Sequence, residues 1–493
     1  MLGLYLQDQF KLSPTLTLDS GLRWDPNFSP TIAGNRGAAF VPGAQSTRFP
    51  NAPTGLIFAG EQGIPSGLIQ TSYGYFQPRI GIAWAVTPRM SVRAGFGLFT
   101  TPLEDAFYNH VWDADPFSPG YNVPYSSSTP DPFDKPWSLS TATGGRSPFP
   151  PFVNPNSTPA ANSTFGLPVT LPTVFNPHLK LGITESWNLS VERQFFDTVA
   201  IHVAYVGNES YHQSVPVDLN PGHFFGVGNP NNGNRTTYTS FDSIIQVQDG
   251  ATADYHGLQA GVEKRFSHGL QAHSSFTWSR TFDVIGSGDP TFEPSVSDPH
   301  DIHHDYGLSS FNYPFVWTSD FIYRMPELAG KSTWVRNSLG GWEISGLYKA
   351  LSGPNFTING GNGNNNSFFD ENQDRADSVP GVPINLRKGG RAHWLNEYIN
   401  PAAFRTNAPG TPGNVPKFSV TGPPLHGVDL ALLKRVTYRE RYRLELRLEA
   451  FNALNHPSFC QPDANAGDAN FGQISGPGPI APRVLQAAIK ITF

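Results

Sequence analysis

Two stretches of this 493-residue chain carry residue types whose spacing could do chemistry. "DENQDRADSVPG" (370–381) sets Asp370, Asn372, Asp374 and Asp377 in one turn-rich segment directly behind "NGGNGNNN". Closely spaced carboxylate and amide oxygens suit a hard cation, and Asp-x-Asn-x-Asp opens as an EF-hand calcium loop does. The glycine that such a loop needs is Arg375 here, and no bidentate Glu follows at the required distance. Calcium is therefore weighed against a plain surface turn. "DPHDIHHDYG" (298–307) gathers His300, His303 and His304 with Asp298, Asp301 and Asp305. Three imidazoles this close could hold a transition metal, against the reading of an ordinary polar loop.

Catalytic signatures are missing. The chain has no Gly-x-Ser-x-Gly, His-Glu-x-x-His, phosphate loop or Cys-x-x-Cys, so no enzyme class is indicated. A carboxylate pair for glycoside hydrolysis is defined in space and not in sequence, and nothing singles one out. Cys460 stands alone, which excludes an internal disulfide and a cysteine zinc site. The net charge of -6 shows no footprint for nucleic acid.

Whatever the loops do, regular elements must position them. Charged residues make up 15% of the chain and aromatics 13%, with 49 Gly and 46 Pro. Many short strands separated by Gly, Pro and Asn turns produce this profile, because turns need fixed or positive φ and strands favour aromatic and β-branched residues. No apolar run reaches the roughly 18 residues of a membrane-spanning helix. A closed barrel is the other structure that satisfies its own backbone in lipid.

"YRLELRLEAF" (442–451) is informative here. Arg443, Glu445, Arg447 and Glu449 alternate with Leu444, Leu446, Leu448 and Ala450, which makes a strand with one charged and one apolar face. Met90 to Leu98, Leu16 to Trp24, Trp187 to Val191 and Leu270 to Trp278 follow the same rule. Trp84, Trp278, Trp317 and Trp342 fall at strand positions and read as lipid-facing or girdle residues.

Connections alternate in size. Tight turns are expected at Ser13-Pro14, Thr87-Pro88, Phe196-Asp197 and His268-Gly269, with longer ones around 325–340 and 437–440. Between them lie polar segments at roughly 26–72, 102–183, 209–253, 282–311, 353–425 and 453–480. Bacterial outer-membrane barrels have this alternation, with short periplasmic turns and long extracellular loops. Leu444, Leu446 and Leu448 would then face lipid and the charges a wet lumen. A half-exposed strand of a soluble β-protein is the competing reading. The terminal "VLQAAIKITF" fits a last strand with Ile489, Ile491 and Phe493 on its lipid side.

"LYLQDQFKLSPTLTLDSGLRWD" (4–25), "FQPRIGIAWAVTPRMSVRAGFGLF" (76–99), "YHGLQAGVEKRFSHGLQAHSSFTWSRTFD" (255–283), "YINPAAF" (398–404) and "RLEAFNALNHPSF" (447–459) resemble the C-terminal barrel of TonB-dependent outer-membrane receptors. The nearest kind is the Oar-like receptor with a carboxypeptidase-regulatory-like domain. The resemblance implies a barrel of about 22 strands around a plug, a TonB-contacting segment and a signal peptide. It also implies that an Asn/Asp-rich loop like 359–381 is common.

Neither plug nor TonB segment is recognisable, and "MLGLYLQDQF" lacks the parts of a secretory signal. The reading gives about 13 strands, an odd count that cannot close antiparallel, so about nine more are expected upstream. The expectation is thus an all-β, antiparallel transmembrane β-barrel, incomplete, without its plug, with residues 1–493 forming the C-terminal part of one barrel domain in the cell outer membrane. Its expected partners are outer-membrane lipid, the TonB complex through parts outside this sequence, and a bulky ligand such as a siderophore, glycan or peptide. The fragment alone is not expected to transport. A non-transporting adhesion or structural barrel and a soluble secreted carbohydrate-active protein are the alternatives.

Overall fold

A computed structural model describes residues 2–103, 105–118, 159–285, 296–361, 363–369, 374–385, 390–438 and 441–493. Thirteen strands follow one another as hydrogen-bonded neighbours in a single antiparallel sheet. They are β1 Leu4–Ser13, β2 Leu16–Trp24, β3 Phe76–Thr87, β4 Met90–Thr101, β5 Gly182–Phe195, β6 Val199–Asp218 and β7 Phe241–Ser267. The sheet continues with β8 Leu270–Asp283, β9 Phe315–Arg324, β10 Trp342–Leu351, β11 Leu425–Tyr438, β12 Tyr442–Phe451 and β13 Val484–Thr492. Sequence neighbours pair throughout, and β1 and β13 form the two edges. The sheet is open.

Register fixes which side chains share a face. One row runs Leu16, Trp84, Val92, Val191, Val203, Ala260, Phe276, Trp317 and Ala350 across β2 to β10. A second runs Tyr323, Ile344, Leu432, Leu448 and Ala487 across β9 to β13. Trp84, Val203, Trp317 and Leu448 of these rows are exposed, as are Trp278 and Ile489, which lie two residues from Phe276 and Ala487 on the same face. An apolar band standing clear of any protein core, and continued from β2 to β13, is the lipid-facing surface of a membrane-spanning sheet.

The opposite face is polar. Arg324 meets Glu343 at 2.7 Å, Glu343 meets Arg435 at 3.6 Å, and Arg435 meets Glu445 at 3.0 Å. Glu445 then meets Arg447 at 3.3 Å and Arg447 meets Glu449 at 3.7 Å. The alternate charges of "YRLELRLEAF" thus belong to a ladder that crosses four strands, and the counter-charges come from the neighbouring strands.

The turns at 14–15, 88–89, 196–198, 268–269 and 325–341 lie at one end of the sheet, where β11 ends at Tyr438 and β12 begins at Tyr442, as the alternation predicts. Phe196 (φ 57°), His268 (φ 52°) and Gly269 (φ 80°) supply the left-handed backbone that two of these tight turns require. One boundary expectation fails. Residues 209–253 read as a loop, yet β6 continues to Asp218 and β7 begins at Phe241, so only 219–240 connects them. The extension is covered by other loops instead of lipid, so its sequence carries no one-sided apolar alternation.

Candidate functional site

The long loops fold over the other end of the sheet and build cores of their own. Phe40, Phe49, Leu56 and Phe58 from the loop after β2 pack with Val169, Leu171 and Val174 and with Phe241 and Ile244 at the start of β7. The segment Val169–Phe175 is a short strand that pairs in parallel with the β7 extension, inside what reads from sequence as a structureless loop. Phe356, Ile358, Ile399, Phe404, Val420 and Phe471 make a second core, from the loops after β10 and β12. Edge-to-face rings such as Phe49 against Phe58 (4.9 Å) and Phe40 against Tyr238 (4.8 Å) fill the first.

Buried charges lock these loops. Glu61 is 8% exposed. Its Oε1 accepts from the amides of Thr47 (2.8 Å) and Arg48 (2.7 Å), and its Oε2 accepts from the Phe58 amide (3.0 Å) and Ser46 Oγ (2.9 Å). Burial alone would raise its carboxyl; donors from Arg48, Ser46 and Thr47 outweigh that and hold it below the ordinary glutamate value.

Lys417 Nζ donates to Asp283 Oδ1 (2.6 Å) and to the carbonyls of Asp283 (3.0 Å) and Val284 (2.8 Å). Burial pushes its ammonium below the usual lysine value, and Asp283 pulls the other way. Arg375 Nη2 meets Asp305 Oδ1 at 3.3 Å and donates to Ser297 Oγ and the His304 carbonyl, each at 3.1 Å. The loop after β8 is therefore bolted to the loop after β10 by two cations. Sequence reading missed Glu61 and Lys417, and treated Arg375 only as a departure from a calcium loop. The available signal was a lone charge in an apolar, glycine-rich setting, as in "LIFAGEQGIP".

The calcium candidates divide. Asp370 and Asn372 lie outside the described residues. Asp374 is buried, and its Oδ2 accepts from the Ser367 amide (2.7 Å) and Asn407 Nδ2 (3.0 Å). Asp377 Oδ2 accepts from the Ala408 amide (3.3 Å) and stands 3.8 Å from Arg405 Nε. Both serve the loop's own donors.

The histidines do not converge. His300 Nδ1 sits 3.3 Å from Asp298, while His304 Nε2 meets the Gly413 carbonyl at 3.0 Å. Asp301 caps the short 3-10 turn by accepting from the His303 amide. Among the described residues no group of three or more metal-capable side chains comes together. Tyr306, next in the chain, is pushed up to about 12 by burial and by its hydrogen bond to Asp254.

Cavities open among the loops and strand ends, two of them on the side of the first core. One of about 410 Å³ lies where the strand ends meet the loops, lined by Thr101, Gly182, Gln213, Ala253, Asp283 and Phe311. The other, about 360 Å³, is lined by Ile32, Ala33, Gly34, Arg36, Trp112 and Phe117. Behind it, Arg48 donates to the Gly34 and Asn35 carbonyls and lies 5.1 Å from the Phe117 ring centroid. Aromatic surface beside guanidinium groups can hold a flat, anionic portion of a solute.

The sheet is thus open and antiparallel, with an apolar outer band, a charged inner face and folded loops capping one end. The family model for the outer membrane beta barrel domain matches residues 1–486. This chain belongs to that family. The barrel domain accordingly sits in the outer membrane.

Solved structures with similar layouts include the ferripyoverdine receptor of the outer membrane of Pseudomonas aeruginosa (11% identity, TM-score 0.42). The outer membrane transporter YddB from Escherichia coli (8%, 0.47) and the FrpB iron transporter from Neisseria meningitidis (10%, 0.43) are others. Each match covers 99% of the barrel domain and 38%, 44% and 45% of the respective solved chain, so the barrel domain spans less than half their length. No curated relative matches.

Proposed function

We propose that residues 1–493 form the C-terminal part of one barrel domain of a TonB-dependent receptor, which takes up a bulky solute at its extracellular loops. One observation carries this reading: loops with their own hydrophobic cores cap a sheet whose inner face is lined with charges. A folded, loop-built surface over a polar conduit suits capture followed by passage. The two unpaired edges, β1 and β13, support a larger barrel in which further strands join them, because an unpaired edge cannot stand in lipid. The plug and the TonB contact would belong to such additional parts.

On this reading the solute is a siderophore, a glycan or a peptide, and the cavity beside Trp112 is its first contact. A calcium ion in the 370–377 loop would brace the same surface, and calcium titration of loop protease resistance tests that addition. The decisive experiment compares uptake of candidate solutes by cells carrying the full-length gene with uptake by a deletion strain. Uptake lost on deletion, and lost again when the proton-motive force is collapsed, supports energised import. Unchanged uptake together with lost surface adhesion would replace it with a non-transporting barrel.

A further inference from the structure

Five of the six periplasmic connections are a few residues long, and the sixth, 325–341, carries a helix, α1 Thr333–Leu339. Its site of attachment is unusual. Trp342 Nε1 donates to the Ser338 carbonyl at 2.8 Å. Lys434 Nζ donates to the Gly340 carbonyl and lies 3.5 Å from that of Arg336.

Trp342 and Lys434 are register partners, and Leu446 and Ile489 continue their row. That row lies on the lipid-facing side of the sheet. The helix is therefore strapped to the outside of the wall, at its periplasmic rim, and not under the lumen. This also accounts for Lys434, a cation on an apolar face that is only 3% exposed. Its charge is met by carbonyls at the negative end of α1 and by the Trp342 ring, 5.8 Å away.

The side chains of α1 divide accordingly. Val335 and Ser338 are half-buried toward the wall. At about 100° per residue, Trp334 and Leu339 flank them on either side, and they are 75% and 61% exposed. Thr333, Arg336 and Asn337 occupy the opposite arc and are exposed, as is Lys331 just before the helix. A Trp and a Leu bared at the membrane rim beside two cations match the chemistry of a phospholipid headgroup layer.

We propose that α1 is an interfacial anchor in the periplasmic leaflet, with Trp334 and Leu339 entering the acyl boundary and Lys331 and Arg336 holding phospholipid phosphates. The charge complementarity and the position on the outer wall select phospholipid as the occupant over a soluble protein.

The test uses the native protein in outer-membrane vesicles loaded with a phospholipid bearing a diazirine close to its ester linkage. After photolysis, the peptide containing 332–342 should carry lipid adducts at a level within about threefold of the 442–451 strand peptide. Adducts on 442–451 with none on 332–342 would overturn the anchor while leaving the membrane assignment standing. The double variant Lys331→Glu/Arg336→Glu should lower the α1 adducts roughly threefold or more in vesicles rich in anionic phospholipid. Unchanged adducts in a variant of native heat-modifiable mobility would overturn the phosphate contacts. If that variant does not fold, the measurement on the native protein decides.

Discussion

At the residue scale, Glu61 shows how one carboxylate can organise a loop. Replacing it with Gln leaves donors at Thr47, Arg48 and Phe58 facing a neutral amide, and should cost the loop after β2 about 1–3 kcal/mol, read as faster amide exchange in residues 46–61. The pH dependence follows from the direction of its shift. A carboxyl held below its ordinary value releases its proton more readily when folded, so its stabilisation is complete above the ordinary glutamate range and is lost as pH falls through the folded value. Exchange protection of 46–61 should fall on acidification in the native chain and change little with pH in Glu61→Gln. Lys417→Met should cost about 3–5 kcal/mol locally by stranding Asp283, and Asp283→Leu added to it should recover part of that loss. Protease sensitivity of the loop after β8 measures both. These residues escape sequence reading because their partners are main-chain groups and side chains far along the chain; Lys417 and Asp283 are 134 positions apart.

At the element scale, the two faces of β12 make opposite predictions. Leu448→Arg should destabilise the sheet by about 2–4 kcal/mol, whereas Glu445→Gln should change stability far less because its ion pairs are partly hydrated. Urea unfolding in lipid vesicles distinguishes them: equal costs would mean that neither face meets lipid, and the reverse order that the faces are assigned the wrong way round. Strands such as Tyr442–Phe451 are legible in sequence because lipid on one side and water on the other impose a period of two. The β6–β7 extension and Val169–Phe175 are not, because both of their sides touch protein. A denser cluster of β-branched residues, as in "VTLPTVF" and "SIIQV", is the signal they do carry. The calcium reading rests on spacing, and the contacts that Asp374 makes with Ser367 and Asn407 are ones that spacing does not reveal.

At the scale of the whole molecule, the apolar band requires that extraction from cells need detergent, and sedimentation of the chain after a carbonate wash checks this. If the crown captures solute, Trp112→Ala should weaken uptake by the full-length receptor about 2- to 10-fold while leaving assembly intact, measured as solute accumulation per folded barrel. The longest hairpin, Val199–Asp218 with Phe241–Ser267, runs from the periplasmic turn into the core beneath the loops, and its pairing shifts register between Gln248 and Ala253, opposite the left-handed His212 (φ 55°). A strand rises about 3.3 Å per residue, so this pair is a long arm, bent at the irregular step, whose foot is the periplasmic turn and whose tip carries Phe241 and Ile244. The step divides the arm into a lipid-flanked shaft and a loop-packed head, so the crown can shift on its wall without the shaft having to tilt.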